Sequence, residues 1–345
     1  MHLFVDISSH GFGHLAITAP ALNALAEMAP DLRLTVRSGL PRQKLAQRIK
    51  APFALIAGGS DFGYVMIDAT RIDLSATAAA YRLAHADWPA RVAREAAFLA
   101  ALAPDLVLSN VAYLPLAGAS RAGIPALSLC SLNWADLFAH FFGHEPWAAP
   151  IHADMLAAYR GARSFLRVTP GMPMRDLDNR DDIGPIAAIG RRHDLGLNGD
   201  RAVLIAMGGI AHRLPVDDWP RLPGVRWLVA ADWQCAHPDA VSLESFGLNF
   251  TDLLCSVDAV VTKPGYGTFT EAACNATPVL YQRRADWPEQ ECLIAWLQAH
   301  GRCREIAGAD LEAGNLAAPL AALWRQASPP APVADGARTA AELID

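Results

Sequence analysis

The sequence carries little charge and has no long run of a single residue type. Only 19% of its 345 residues are Asp, Glu, Lys or Arg, and the formal net charge is −6. Proteins that bind nucleic acids cluster Lys and Arg against the phosphates, so this composition disfavours a nucleic-acid partner. No apolar run approaches the roughly 20 residues that span a bilayer. Peripheral contact with a membrane surface stays compatible with the composition.

Cysteine is scarce and irregularly placed. None of the six cysteines belongs to a Cys-x-x-Cys pair, the spacing typical of zinc sites and redox motifs. They therefore predict neither a metal site nor a disulfide framework, and reduced thiols are expected. Residues 1–6 enter a strand pattern without a basic and apolar leader, which favours a cytoplasmic protein.

Strand and helix patterns alternate along the whole chain. In the first half, a strand over Leu3–Ile7 precedes a helix over Leu15–Met28, and the long Ala-rich segment Ala76–Leu102 reads as helical. In the second half, Ala202–Met207 reads as a strand that ends at Gly208-Gly209, and Ala259–Thr262 and Val279–Tyr281 read as strands that each lead into a helix. This alternation predicts an α/β fold with parallel sheets covered by helices on both faces.

A segment rich in Pro, Gly, Asp and Arg separates the two halves. It covers residues 169–199, and such a composition is typical of a linker. We place the domain boundary near residue 175, so that the predicted domains are 1–175 and 176–345. A final helix is expected within 336–345, and it could pack back on the first domain.

The most informative segment runs from Thr262 to Gln290. A buried strand leads into the turn 263–268, with the sequence KPGYGT, and a helix pattern containing Glu271 follows. Free backbone N–H groups at the start of a helix bind phosphate, and a carboxylate one turn further on can accept hydrogen bonds from a ribose. A polar loop after the next strand could hold a sugar. The layout predicts a nucleotide-sugar site.

A second glycine-rich turn follows the first strand. Residues 8–14 read SSHGFGH, and Gly11 and Gly13 allow a ligand to approach the backbone closely. His10 and His14 place two imidazoles there, and imidazole suits proton abstraction near neutral pH. Two histidines at one strand end favour a base over residues that only cap the turn. The turn lacks the third glycine and the acidic residue of a dinucleotide fingerprint.

The segment Lys263–Gln290 resembles the nucleotide-sugar half of glycosyltransferases with the GT-B fold. That superfamily includes the UDP-glycosyltransferases and the bacterial enzyme that adds N-acetylglucosamine to lipid I. The turn Gly11–His14 is similar to the superfamily's glycine-and-histidine turn. Both patterns most resemble the glycosyltransferase-like N-terminal region of plant L-arabinokinase, although the sequence has no Gly- and Ser-rich ATP loop of the sugar-kinase type. The resemblance implies two doubly wound, Rossmann-like domains that face a cleft, an acceptor-side domain followed by a donor-side domain.

The resemblance also implies roles for individual residues. The turn 265–268 and the Gly208-Gly209 turn would line the donor diphosphate, Glu271 would hold the ribose, and Glu289 and Gln290 would face the sugar. The donor-binding set is Gly208, Gly209, Lys263, Gly265, Tyr266, Gly267, Thr268, Glu271, Glu289 and Gln290, and the catalytic candidates are His14 and His10.

Two positions depart from the family's pattern. Lys263 stands where members with a plant-type signature have His, and it could add positive charge at the diphosphate or pair with an acid at the strand end. The turn after Gly209 reads Ile210-Ala211-His212, where many relatives have a hydroxyl group. Phosphate binding there would rest on the backbone. These departures concern the identity of the donor more than the fold.

The expected activity is transfer of a hexosyl or pentosyl group from a nucleotide-diphosphate sugar, most commonly a UDP-sugar, to an acceptor hydroxyl. The transfer would invert the anomeric configuration and need neither a metal nor a cofactor, because oriented N–H groups and the helix dipole stabilise the leaving diphosphate. The acceptor could be a glycan, a lipid-linked group or a small molecule. Two alternatives stay open: a nucleotide-sugar hydrolase or epimerase, and a non-catalytic nucleotide-sugar-binding protein.

An aromatic segment could contribute to the acceptor side. Asn133, Trp134 and Asp136 follow a predicted strand, and with Gly11 and Gly13 they could line an acceptor pocket. Ordinary packing is slightly favoured, since aromatic residues are most often buried. Trp287 could equally stack on a sugar or pack at a helix start, and the acidic loop residues Asp61 and Asp68 are expected to be solvated unless their loop faces the cleft.

Overall fold

The computed structural model describes residues 1–209 and 212–345. These residues form two compact units. Unit 1 comprises Met1–Ile67, Ile72–Ile186 and Asp335–Asp345, and unit 2 comprises Asp68–Arg71 and Ala187–Ala334.

Unit 1 is built on a seven-stranded parallel sheet. Its strands are β1 (His2–Ile7), β2 (Arg33–Ser38), β3 (Phe53–Ala57), β4 (Leu106–Asn110), β5 (Ala126–Cys130), β6 (Ser164–Val168) and β7 (Arg180–Ile183). The spatial order is β3-β2-β1-β4-β5-β6-β7, so the order reverses between β1 and β4. Every residue of β1, β4 and β5 is buried, as expected for strands covered on both faces. The reversal point is where ligands of doubly wound sheets bind.

Helices connect the strands of this sheet. They are α1 (Phe12–Met28), α2 (Arg42–Arg48), α3 (Leu74–His85), α4 (Trp88–Leu102), α5 (Leu114–Ala122), α6 (Trp134–Phe142) and α7 (Ala148–Arg160). The segment predicted to be helical over 76–102 consists of two helices, α3 and α4, with Asp87 as the N-cap of α4. The Asp87 carboxylate accepts a hydrogen bond from the Ala90 N–H at 3.3 Å, and Pro89 lies in the first turn, where its missing N–H costs nothing.

Unit 2 repeats this architecture with six parallel strands. They are β8 (Arg201–Ile205), β9 (Val225–Val229), β10 (Ala240–Ser242), β11 (Ala259–Thr262), β12 (Val279–Tyr281) and β13 (Cys303–Glu305), in the order β10-β9-β8-β11-β12-β13. The helices are α8 (Phe250–Ser256), α9 (Tyr266–Cys274), α10 (Gln290–His300), α11 (Gly308–Glu312) and α12 (Ala317–Trp324). Val203, Trp227 and Val261 lie in a core that covers one face of the sheet. The two doubly wound sheets confirm the predicted α/β class.

The last helix, α13 (Gly336–Ile344), packs against α1 and β7. Residues 335–345 therefore belong to unit 1. The units divide at Ile186, about ten residues beyond the predicted boundary near residue 175, because β7 pairs with β6 as the seventh strand of the first sheet. Within the described residues, no helix is long and apolar enough to cross a membrane.

Candidate functional site

In unit 2, the turn after β11 has the geometry of a phosphate site. All four residues of β11 are buried, and Gly265 is the N-cap of α9. The first backbone hydrogen bond of the helix runs from the Phe269 N–H to the Gly265 carbonyl at 3.1 Å. Because the first N–H groups of a helix have no acceptor within it, Tyr266, Gly267 and Thr268 present the N–H groups that favour an anion.

Lys263 connects this turn with the second predicted glycine turn. A Cβ atom placed on Gly208 would lie 3.5 Å from the Lys263 Nζ atom, and one on Gly265 would lie 3.7 Å from it. The ammonium therefore lies between the two turns. Gly208 has φ +94, a backbone conformation that favours glycine. Of the residues after Gly209, Ile210 and Ala211 lie outside the described residues, so the predicted backbone contact to phosphate there stays a prediction.

The charge of Lys263 is poorly solvated. Burial and, to a smaller extent, the positive charge of Arg284 lower its pKa to about 7, and the carboxylate of Glu289 acts in the opposite direction. A lysine in this state changes its charge near neutral pH. An anion bound between the glycine turns would favour the charged form and raise the pKa.

Glu271 lies on α9, the helix that begins at the candidate phosphate site. The residue is 1% exposed, and its negative charge contributes to the raised pKa of the neighbouring Cys274 thiol. A carboxylate at this depth is retained only with hydrogen-bond or charge partners. The assignment of Glu271 to the ribose stays a prediction.

The loop after β12 is held by its own side chains. The Gln290 Oε1 atom accepts a hydrogen bond from the backbone N–H of Arg284 at 3.0 Å, and Gln290 Nε2 donates to the backbone carbonyl of Arg284 at 3.3 Å. Glu289 Oε2 accepts from Trp287 Nε1 at 3.0 Å. The two residues predicted to face the sugar thus make contacts inside the loop, and sugar contact stays a prediction for both.

Trp287 and Arg284 stack on each other in this loop. Trp287 is buried, and the Arg284 guanidinium carbon lies 3.8 Å from the centre of its ring. This stacking favours the packing interpretation of Trp287. Burial lowers the pKa of Arg284 to about 10. The sequence shows Arg284 only as one charge of a polar loop, and its burial depends on tertiary structure.

In unit 1, His14 lies in the first turn of α1, behind the glycine-rich turn. It is buried, and its Nδ1 atom is 2.8 Å from the Asn110 Oδ1 atom at the end of β4. Because an amide oxygen only accepts hydrogen bonds, the proton is on Nδ1 and Nε2 carries the lone pair. Asn110 Nδ2 donates to the His14 carbonyl at 3.4 Å, which agrees with this amide orientation. Sequence reasoning missed Asn110, since nothing in its own segment indicates a partner in α1.

Burial determines the charge state of His14. It lowers the pKa to about 4, although the hydrogen bond to Asn110 acts in the opposite direction. The imidazole is therefore neutral at pH 7, the form that can accept a proton. A pKa so far below neutral also makes it a weak base, so catalysis through His14 requires that substrate binding raise its pKa.

Trp134 lies at the centre of a cluster in unit 1. Its ring is 5.4 Å from that of His10 and 5.7 Å from that of His14, between ring centres. Its Nε1 atom donates to Asp61 Oδ2 at 2.7 Å. Burial, with the nearby charge of Asp6, raises the pKa of Asp61 to about 7. The expectation of a solvated Asp61 is wrong, because its other carboxylate oxygen is buried as well.

The remaining acceptor-side candidates have different surroundings. Gly11 and Gly13 have open space, with no atom within 4 Å of where a Cβ would lie. Asn133 is buried, and its side-chain oxygen caps α6 by accepting from the Asp136 N–H at 2.7 Å. Burial raises the pKa of the Asp136 carboxyl. Trp134 is fully buried, which favours packing, so direct contact with an acceptor is best predicted for the two glycines.

The fold is that of GT-B glycosyltransferases. The glycosyltransferase of kitacinnamycin matches with a TM-score of 0.64 and 16% identity, over 99% of this chain and 95% of that one. The glycosyltransferase VinC, solved in complex with dTDP, matches with a TM-score of 0.59 and 18% identity, over 100% and 94%. A protein from Listeria monocytogenes, assigned as a putative UDP-N-acetylglucosamine 2-epimerase, matches with a TM-score of 0.57 and 13% identity, over 100% of this chain and 94% of that one. At these identities the likeness shows the fold alone.

The sequence itself is similar to one curated protein. L-arabinokinase of Arabidopsis thaliana is 23% identical over 327 residues, which is 90% of this chain and 31% of that protein. The chain thus spans about a third of the relative's length. No protein-family model matches the sequence. The predicted resemblance to GT-B glycosyltransferases and to part of L-arabinokinase is confirmed.

Proposed function

We propose that this protein is a glycosyltransferase that uses a nucleotide-diphosphate sugar. The observation that carries the proposal is the position of the Lys263 ammonium between Gly208 and Gly265, at the N-terminus of α9. Backbone N–H groups, the helix dipole and one cation at a single point suit a diphosphate. The glycosyltransferases of the same fold support the class. A UDP-sugar is the proposed donor and the cytoplasm the proposed compartment.

The proposed reaction is a single displacement. An acceptor hydroxyl attacks the anomeric carbon, its proton passes to His14 Nε2, and the bond from the anomeric carbon to the diphosphate oxygen breaks. The nucleoside diphosphate leaves with both bonding electrons, and the N–H groups of residues 266–268 with Lys263 stabilise the developing charge. One such displacement inverts the anomeric configuration. The residues named supply this chemistry without a cofactor, so metal-independent transfer is part of the proposal.

Asn110 has a defined part in this mechanism. Its hydrogen bond holds the proton of His14 on Nδ1, which leaves Nε2 able to accept the acceptor's proton. A carboxylate in place of the amide would also stabilise the protonated imidazole. The amide orients the ring without that electrostatic contribution. His10 is the second candidate base.

Ligand-induced stabilisation tests the donor site. Thermal unfolding is measured with UDP-, TDP- and GDP-sugars, for the wild type and for Lys263→Met. A ligand at about 100 times its dissociation constant stabilises the protein by roughly 2.7 kcal/mol. We expect at least one nucleotide sugar to stabilise the wild type and to stabilise the variant much less. No stabilisation by any of them would overturn the proposal.

A nucleotide-sugar epimerase or hydrolase is the second candidate. The fold likeness to the Listeria protein favours it, since the same phosphate site would serve either reaction. Incubation of a bound nucleotide sugar without acceptor separates the classes: epimerised or free sugar would indicate this second candidate, and unchanged sugar would favour a transferase or a non-catalytic binder. Transfer to any hydroxyl acceptor then separates the last two.

A further inference from the structure

Arg284 is a buried cation with unused hydrogen-bonding capacity. It is 7% exposed, and among residues 1–209 and 212–345 its Nε and Nη2 atoms have no hydrogen-bond partner. An N–H group buried without a partner destabilises the folded protein, and more so if the group is charged. Native structures rarely leave such groups unpaired. The unpaired edge of the guanidinium therefore points to a ligand.

The loop holds Arg284 in a fixed position. Gln290 binds both the N–H and the carbonyl of Arg284, and the Trp287 ring supports the guanidinium from one side. The Gln290 amide is hydrogen-bonded to the backbone, so it is not available to a ligand in this arrangement. The guanidinium of Arg284 still has hydrogen-bond donors for a ligand, at Nε and Nη2. A rigidly held side chain loses little conformational freedom when it binds.

Arg284 lies among one further cation and two carboxylates, and these carboxylates are engaged by other donors. The positive charge of Arg284 lowers the pKa of Lys263, and Glu289 acts in the opposite direction. Glu289 and Asp68 are the carboxylates whose charges favour the charged form of Arg284. Both carboxylates have other donors. Glu289 accepts from Trp287, and Asp68 accepts from Thr70 and from Arg71 Nε at 2.7 Å. Neither provides the paired oxygens that a guanidinium fork matches.

We propose that Arg284 binds an oxyanion of the donor substrate, next to the diphosphate site at Lys263. Two parts of a nucleotide sugar carry this chemistry: a phosphate of the diphosphate, and the carboxylate of an acidic sugar such as a uronic acid. Both present the planar or near-planar pair of oxygens that guanidinium binds through two parallel hydrogen bonds. The inference rests on the proposed function. It assigns to Arg284 a direct contact with the donor substrate, which the sequence predicts for Gln290.

The adjacent arginine provides a matched control. Arg283 donates from Nε to Glu305 at 3.0 Å and also pairs with Glu291. The variants are Arg284→Gln, Arg284→Lys and Arg283→Gln, and isothermal titration measures binding of UDP, UDP-glucose, UDP-glucuronate and inorganic pyrophosphate. Near-ultraviolet circular dichroism verifies the fold. Arg284→Lys keeps the positive charge but removes the paired donors of the guanidinium. Its ligand affinities therefore test the inference even if Arg284→Gln does not fold.

We expect Arg284→Gln to weaken at least one ligand about 10- to 100-fold, as removal of a charged hydrogen-bonding group does, and Arg283→Gln to leave all affinities unchanged. If the variant binds both UDP and pyrophosphate more weakly, the oxyanion is a phosphate. If it binds only UDP-glucuronate more weakly, the oxyanion is the sugar carboxylate. Unchanged affinity for every ligand in both Arg284 variants overturns the inference and leaves the proposed function standing. If no nucleotide binds the wild type but pyrophosphate binding depends on Arg284, the proposed function falls and the oxyanion site stands. If no ligand binds the wild type, both fall.

Discussion

Replacement of Lys263 by Met should stabilise the ligand-free protein in acid and neutral solution. The ordinary lysine pKa of 10.5 falls to about 7 in the folded protein. At about 1.4 kcal/mol per unit, this difference corresponds to an upper limit of about 5 kcal/mol. Lys263 is half-buried, and solvent screening reduces the expected effect to about 2–3 kcal/mol. Methionine has a similar length and carries no charge that must be desolvated.

The sign of the pH dependence follows from the direction of the pKa change. Between about pH 7 and pH 10.5 the unfolded chain binds more protons at this position than the folded protein, so the contribution of Lys263 to stability rises with pH. The gain in free energy of unfolding from Lys263→Met should therefore reach its maximum at pH 6 and disappear near pH 10.5. Urea unfolding of both proteins at pH 6, 8 and 10 measures it.

The exposed residue Lys50 provides the control for this experiment. Lys50→Met removes a charge of the same sign and should not alter the pH dependence of stability. A difference between wild type and Lys263→Met that stays constant from pH 6 to pH 10, or a variant less stable than wild type at pH 6, would refute the reasoning. The same lysine should take up a proton when UDP binds at pH 8, which calorimetry in buffers of different ionisation enthalpy detects.

Three further variants test the rest of the site. Glu271→Ala should weaken UDP binding at least tenfold while circular dichroism stays unchanged, and an unaltered dissociation constant would refute the ribose assignment. His14→Ala should lower turnover of the donor about 100-fold or more, as loss of a general base does, with donor affinity unchanged; undiminished turnover would exclude His14 as the base. Asn110→Asp should raise the pKa of His14 above its value of about 4, because a carboxylate favours the imidazolium. NMR titration of the imidazole measures this, and a pKa that does not move would contradict the proposed contact.

The sequence predicts the central strands better than the edge strands, for a physical reason. β1, β4 and β5 are buried on both faces, and most of their residues are apolar. β7 lies at an edge of the same sheet, reads Arg-Asp-Asp-Ile and buries only Ile183, so it gives no apolar run. β3 at the other edge is apolar in sequence, but none of its residues is fully buried. The missed β7 also explains why the predicted boundary precedes the observed division at Ile186.

The residues of the candidate site also differ in how well the sequence predicts them. The glycine-rich turns at residues 11–13 and 265–267 are predicted, because glycines at a helix start form a local pattern that a few residues reveal. Asn110 and Arg284 are not predicted, because their importance depends on burial and on partners elsewhere in the chain: Asn110 meets His14 from another strand, and Arg284 acquires its surroundings only when Gln290 and Trp287 fold around it.

The return of α13 to unit 1 has a consequence for biosynthesis. Residues 335–345 complete a unit whose first strand is made before any of unit 2. While the ribosome synthesises unit 2, the α1 surface that α13 covers stays open to chaperones or to other nascent chains. Unit 1 thus reaches its final form only after unit 2 has been made. A truncation within 335–345 should accordingly impair the folding yield of unit 1, far away in sequence from the change.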